Sequence, residues 1–160
     1  MTKIAEKVKL VPMIEAKDYG SAGIDTESVD MSKVHHIAVV FEFGAITGNS
    51  VLKVYSGASS GTKTTAQAFQ YRLGSADYKA AAADGLGALT DVASTGLTLT
   101  AATYDHRQVV VEVDAVDMPD GKPWLTLEID NVATVLLVGA VGIAEARHVG
   151  NASPTVIDTA

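Results

Sequence analysis

The stretch Gly57-Ala58-Ser59-Ser60-Gly61 fits G-x-S-x-G, the turn that exposes a nucleophilic serine in hydrolases, and it follows a strand-like run, Val51 to Tyr55. That chemistry needs a helix directly after the serine, so that its oxygen sits on a strained turn beside backbone N–H groups forming an oxyanion hole. Thr62 to Thr65 follow instead, a largely β-branched start, and a Gly/Ser hairpin loop is expected. The same loop misses the phosphate-binding register G-x-x-x-x-G-K-[ST]. Thr62 separates Gly61 from Lys63, and in that register the lysine loses its reach to the β and γ phosphates.

Histidine and carboxylate spacing point to solvated positions rather than ligand sets. His35 and His36 are neighbours on a strand pattern and project to opposite faces, while His106 and His148 lack a spaced partner. Asp114, Asp117 and Asp120-Gly121 have the composition of a calcium loop, but they fall every third residue with Pro119 between them, not in the D-x-D-x-D-G order. Glu112 and Asp114 share one strand face, roughly 7 Å apart along the backbone, a loose match to a glycosidase carboxylate pair whose default is two exposed like charges. Trp124 with Tyr55, Tyr71, Tyr78 and Tyr104 could line a sugar platform, although aromatic residues make up only 6% of the chain. No catalytic residue, cofactor site or metal site is therefore assigned.

The elements that would hold these residues are strands. Leu125, Leu127 and Ile129 alternate with Thr126, Glu128 and Asp130; Phe69, Tyr71 and Leu73 alternate with Gln70 and Arg72; Val109, Val111 and Val113 alternate with Gln108, Val110 and Glu112. Period two places each apolar set on one face. His35 to Phe43 is apolar on both faces, as a central strand would be, and Val132 to Val141 reads likewise. With Lys7 to Glu15, Val51 to Tyr55 and Leu97 to Thr100, and with turn signals at Gly44 to Asn49, Ser56 to Lys63, Asp84 to Gly87 and Met118 to Pro123, about eight strands are predicted. The fold class is mainly β, an antiparallel β-sandwich of jelly-roll type. At most one short helix is expected, at Ser75 to Asp84, where Ser75 could cap and Gly85 could end it, and ten residues make it marginal.

The chain has 160 residues, 48% of them apolar, about one domain with enough material for a core. We predict an N-terminal arm over 1–20, a sandwich over 21–149 and a C-terminal tail over 150–160. Twelve basic against 19 acidic residues give a net charge of −7, which opposes phosphate neutralisation and makes nucleic acid a poor partner. The absence of cysteine excludes disulfides, thiolate catalysis and Cys-ligated metals. The longest apolar run, Val135 to Ala144, is ten residues against the ~20 of a membrane span, and no apolar leader segment is visible, so a soluble protein without a membrane partner is expected.

The landmarks Phe43-Gly44-Ala45-Ile46-Thr47-Gly48, Val51 to Thr64, Phe69-Gln70-Tyr71-Arg72-Leu73, Val111-Glu112-Val113-Asp114, Met118 to Trp124 and Ala146-Arg147-His148 span most of residues 35–148. In these loops and strands the chain resembles the capsid decoration, or cement, proteins of tailed bacteriophages, which bind the outside of a mature shell. None of the landmarks is catalytic. The resemblance implies a jelly-roll sandwich, commonly a homotrimer, that is made in the host cytoplasm, seats on the major capsid protein at the virion surface and stabilises the shell. A β-rich body with a lysine-dotted N-terminal segment and a Pro-containing tail fits such a role. Lys3, Lys7 and Lys9 in the first arm and Pro154 in the tail are the expected interaction residues. The alternatives are another virion part, such as a head–tail or tail accessory protein, and a carbohydrate-binding adhesin.

Overall fold

The computed structural model describes residues 7–131, 134–147 and 157–158. The alternating segments all become strands, and the first six are β1 (Lys9–Asp18), β2 (Ile24–Asp25), β3 (Ser28–Asp30), β4 (Val34–Thr47), β5 (Asn49–Gly57) and β6 (Thr65–Gln67). Then come β7 (Phe69–Leu73), β8 (Thr90–Val92), β9 (Leu97–Thr100), β10 (Gln108–Asp114), β11 (Trp124–Asn131), β12 (Val135–Ala146) and β13 (Ile157–Asp158). Six strands form one sheet in the order β1-β12-β4-β10-β7-β8; β13-β3-β11-β5-β6 form the other, with β2 on β11 and β9 on β5. Every pairing is antiparallel. The chain crosses between sheets from β1 to β2, β3 to β4, β4 to β5, β6 to β7, and at each step from β8 to β13. The result is an antiparallel β-sandwich.

The core lies between the sheets because inward residues of both join one buried cluster. Ile37, Val39, Phe41 and Phe43 of β4 meet Leu52 and Val54 of β5 and Leu125, Leu127 and Ile129 of β11. Phe41 and Phe43 stack with ring centroids 6.0 Å apart. Burying this aliphatic and aromatic surface is the main stabilising contribution. The connection from β4 to β5, which passes from one sheet to the other, turns at Gly48, whose φ of +92° lies where a side chain would be strained.

Thirteen strands form among the described residues against the roughly eight expected, the five additional ones, β2, β3, β6, β8 and β13, being pieces of two or three residues. Two expectations are corrected. Residues 9–18, assigned to an arm, are strand β1 of the body: they run in register along β12, and Val11 and Met13 are buried. Lys7 to Glu15 had been recognised as strand-like, and it is the burial of alternate residues that ties the segment to the core.

The helix expected at Ser75 to Asp84 is absent. A Gly74–Leu86 bridge pinches the segment into a loop, Ser75 N–H donates to Gly85 O at 2.9 Å, the Ser75 hydroxyl bonds the Ala82 carbonyl, and Tyr78 N–H donates to His106 O at 3.1 Å. Ten residues without a packed face are too few to sustain a helix against these bonds. The α-helix that does form is one turn, α1 (Ala101–Tyr104), fixed by the burial of Tyr104 and by Asp105 Oδ1, which accepts from Ile46 N–H at 2.7 Å.

Candidate functional site: the outer face of the six-stranded sheet

The two outer faces of the sandwich are finished differently. On the β11 sheet the loop Gly57 to Thr64 folds back over the strands, and Gly61 N–H donates to Ser28 Oγ at 2.9 Å. Ser28 Oγ lies 2.7 Å from Thr126 Oγ1, and both residues are buried beneath the loop. Lys63 anchors the far end, 2.9 Å from Asp25 Oδ1 and 2.6 Å from Glu128 Oε1, with Tyr55 beneath its ammonium at 5.7 Å. A Cβ at Gly57 would fall 2.0 Å from Thr62 Oγ1, so this approach requires glycine. The G-x-S-x-G segment is therefore the cover of a sheet. Its Ser59 carbonyl accepts from Thr62, and the bonds described for the loop bring no histidine to it.

On the six-stranded sheet no described segment covers the outer face. Strand pairing sets Leu10, Ile143, Ala38, Glu112, Gln70 and Asp91 side by side in one row across all six strands, and Pro12, Val141, Val40, Val110 and Arg72 in the next. The β1-β12-β4 half of both rows is aliphatic. Leu10 is 58% exposed, Val141 45%, Leu137 42% and Ile143 38%. Single exposed aliphatics are ordinary, but neighbouring ones on a flat sheet face form a patch of the kind that binding surfaces use.

The β10-β7-β8 half is charged. His36 Nδ1–H donates to Asp114 Oδ1 at 2.8 Å, His36 Nε2 lies 3.6 Å from Glu112 Oε2, and Arg72 Nε donates to Glu112 Oε1 at 3.2 Å. Gln70 Nε2 donates to Asp91 Oδ1 at 2.7 Å. His36, Glu112, Asp114, Gln70 and Asp91 edge a cleft of about 470 Å³ whose walls include Phe69, Val92, Val113, Asp117 and Met118. The Glu112/Asp114 pair is thus engaged with His36 and Arg72. Among the described residues no three His, Asp or Glu side chains are gathered at metal-binding distances.

Of the expected interaction residues, Lys3 and Pro154 lie outside the described residues. Lys7 is exposed in the turn before β1, and Lys9 opens β1 opposite Ala144, partly buried. The aromatic residues form no single platform: Trp124 and Tyr55 belong to the β11 sheet, whereas Tyr71 and Tyr104 meet hydroxyl to hydroxyl at 3.3 Å, with Tyr104 buried. Sequence reasoning missed the aliphatic face, although its signal was present: β4 and β12 are apolar on both faces, which reads equally as a buried central strand. The spacing that sets His36 beside His35 on a strand gives no sign of Asp114 as its partner, because Asp114 is 78 positions away along the chain. Comparison of the chain with family models, with curated proteins and with solved structures gives no match.

Proposed function

We propose that this protein is a non-enzymatic structural component of a phage virion that seats on the outside of the capsid as a decoration protein, with the open face of the six-stranded sheet as its binding surface. The observation that carries the reading is the contrast between the two outer faces. One is closed by its own loop and ion pairs, and the other presents a row of solvent-exposed aliphatics at a cost in solubility that only a partner would offset. The edges of that sheet support face-on binding. Pro12 and two register shifts interrupt β1, and β8 is three residues long, so neither edge offers a long template for strand addition.

The test is to mix purified protein with shells that lack it and to image the product by electron microscopy. Regular density at lattice positions on the outer surface is expected. Density confined to the tail or neck, or no density on any shell, overturns the reading.

A further inference from the structure

We propose that the partner of the six-stranded face is a protein segment with an aliphatic end and a basic end, lying across the strands so that its basic side chain enters the cleft beside Glu112 and Asp114. The proposal rests on the reading of the protein as a binding component and specifies the chemistry of what it binds. Its basis is the row Leu10, Ile143, Ala38, Glu112, Gln70, Asp91, which changes from apolar to acidic between β4 and β10. Five strand spacings of ~4.8 Å make the row roughly 24 Å long, a span that about seven extended residues cover.

Charge decides between possible occupants. Asp91, Glu112, Asp114 and Asp117 line the cleft, and Arg72 and His36 are the cationic or titratable side chains bonded to them, so the carboxylates are in excess. Met118, partly exposed in the cleft wall, suits the aliphatic stem of a lysine or arginine whose charge stays among the carboxylates. A second copy of this chain would bring another net charge of −7 and the same carboxylates to the surface. An anionic lipid surface meets the same repulsion.

The test uses the full chain, isotope-labelled for NMR, titrated with two synthetic extended peptides of identical aliphatic sequence, one ending in arginines and one in glutamates. The expected result is saturable shifts of amides in β12, β4 and β10 with the arginine peptide, binding at least roughly tenfold weaker for the glutamate peptide, and affinity that falls as salt rises. Val141→Glu is expected to weaken the arginine peptide by roughly tenfold or more. The double substitution Glu112→Gln with Asp114→Asn is expected to remove most of the salt dependence. Both sets of positions are at least partly solvent-exposed, and an unchanged amide spectrum away from the site shows that the variants fold. Equal binding of the two peptides, shifts elsewhere on the molecule, or concentration-dependent self-association through β12 overturns the proposal. Shells supply the separate arm. Peptide binding without shell binding removes the capsid reading and leaves the partner chemistry standing, whereas shell binding unaffected by these variants removes the inference and leaves the capsid reading.

Discussion

Leu127 and Leu137 are the same residue on two strands, and truncating each to alanine asks which face of the sandwich is dry. Leu127 of β11 is fully buried, directly opposite Val54 of β5. Its backbone is held by Thr26, whose hydroxyl accepts from Leu127 N–H at 3.0 Å and whose N–H donates to Leu127 O at 2.8 Å, so Leu127→Ala removes packing and leaves these bonds in place. A buried leucine replaced by alanine costs ~2–5 kcal/mol through lost transfer free energy and the cavity left behind. In a chain of this length each kcal/mol lowers Tm by ~2–4 °C, so a fall of ~4–20 °C follows.

Leu137 of β12 is 42% exposed and lies over Gly44, where an added Cβ would come within 2.9 Å of Leu137 Cβ. A little more than half of the ~1.5–3 kcal/mol for full burial is at stake, and water fills the space, so Leu137→Ala should cost ~1–2 kcal/mol and ~2–8 °C. The assay is urea unfolding followed by circular dichroism, with the slope m unchanged in both variants, together with calorimetric Tm. Equal losses, or a larger loss at Leu137, would refute the assignment of faces, because a slip of one residue in a strand exchanges its inner and outer side chains.

Gly57→Ala places a Cβ into Thr62, so the covering loop must lift; a loss of ~1–3 kcal/mol and faster proteolytic cleavage within residues 57–64 are expected, measured by thermal melting and limited digestion. Backbone N–H groups of Gly20 and Leu136, 2.9 and 3.0 Å from Asp18 Oδ1, hold the Asp18 carboxyl below its usual range. Its contribution is therefore present above the ordinary value of about 3.9 and lost as pH falls through the lowered folded value, and Asp18→Asn should blunt the acid-induced loss of hydrogen-exchange protection at the Leu136 amide. At the alkaline end burial, with Glu42's charge adding and a backbone hydrogen bond at Phe43 opposing, pushes Tyr78 up to about 12, and burial beside the Tyr71 hydroxyl pushes Tyr104 higher still. The unfolded chain then loses these protons first, so stability should fall as pH rises above about 10, and in a spectrophotometric titration Tyr78 and Tyr104 should ionise at higher pH in the folded protein than in the unfolded chain.

Period-two alternation by itself determined the fold class and the inner face of most strands. Val109, Val111 and Val113, like Leu125, Leu127 and Ile129, are buried as their spacing requires, because the pleat leaves a strand no other way to collect its apolar residues. Spacing likewise removed the nucleophile elbow and the phosphate loop, since each depends on a local register that the chain lacks. The helix at residues 75–84 was misread because alanine content is a weak local preference, and bonds to Gly85 and His106 outweigh it.

Tertiary structure decided everything about the second face of each strand. β12 and β4 are apolar on both sides, and whether the second side meets another layer or water depends on what the rest of the chain folds over it. The Gly57 to Thr64 loop covers the other sheet, and no described segment covers this one. The juxtaposition of His36 with Glu112 and Asp114 has the same origin: it exists because β4 and β10 pair in one register, and that register is set by burial along the whole sheet rather than by any feature of the residues themselves.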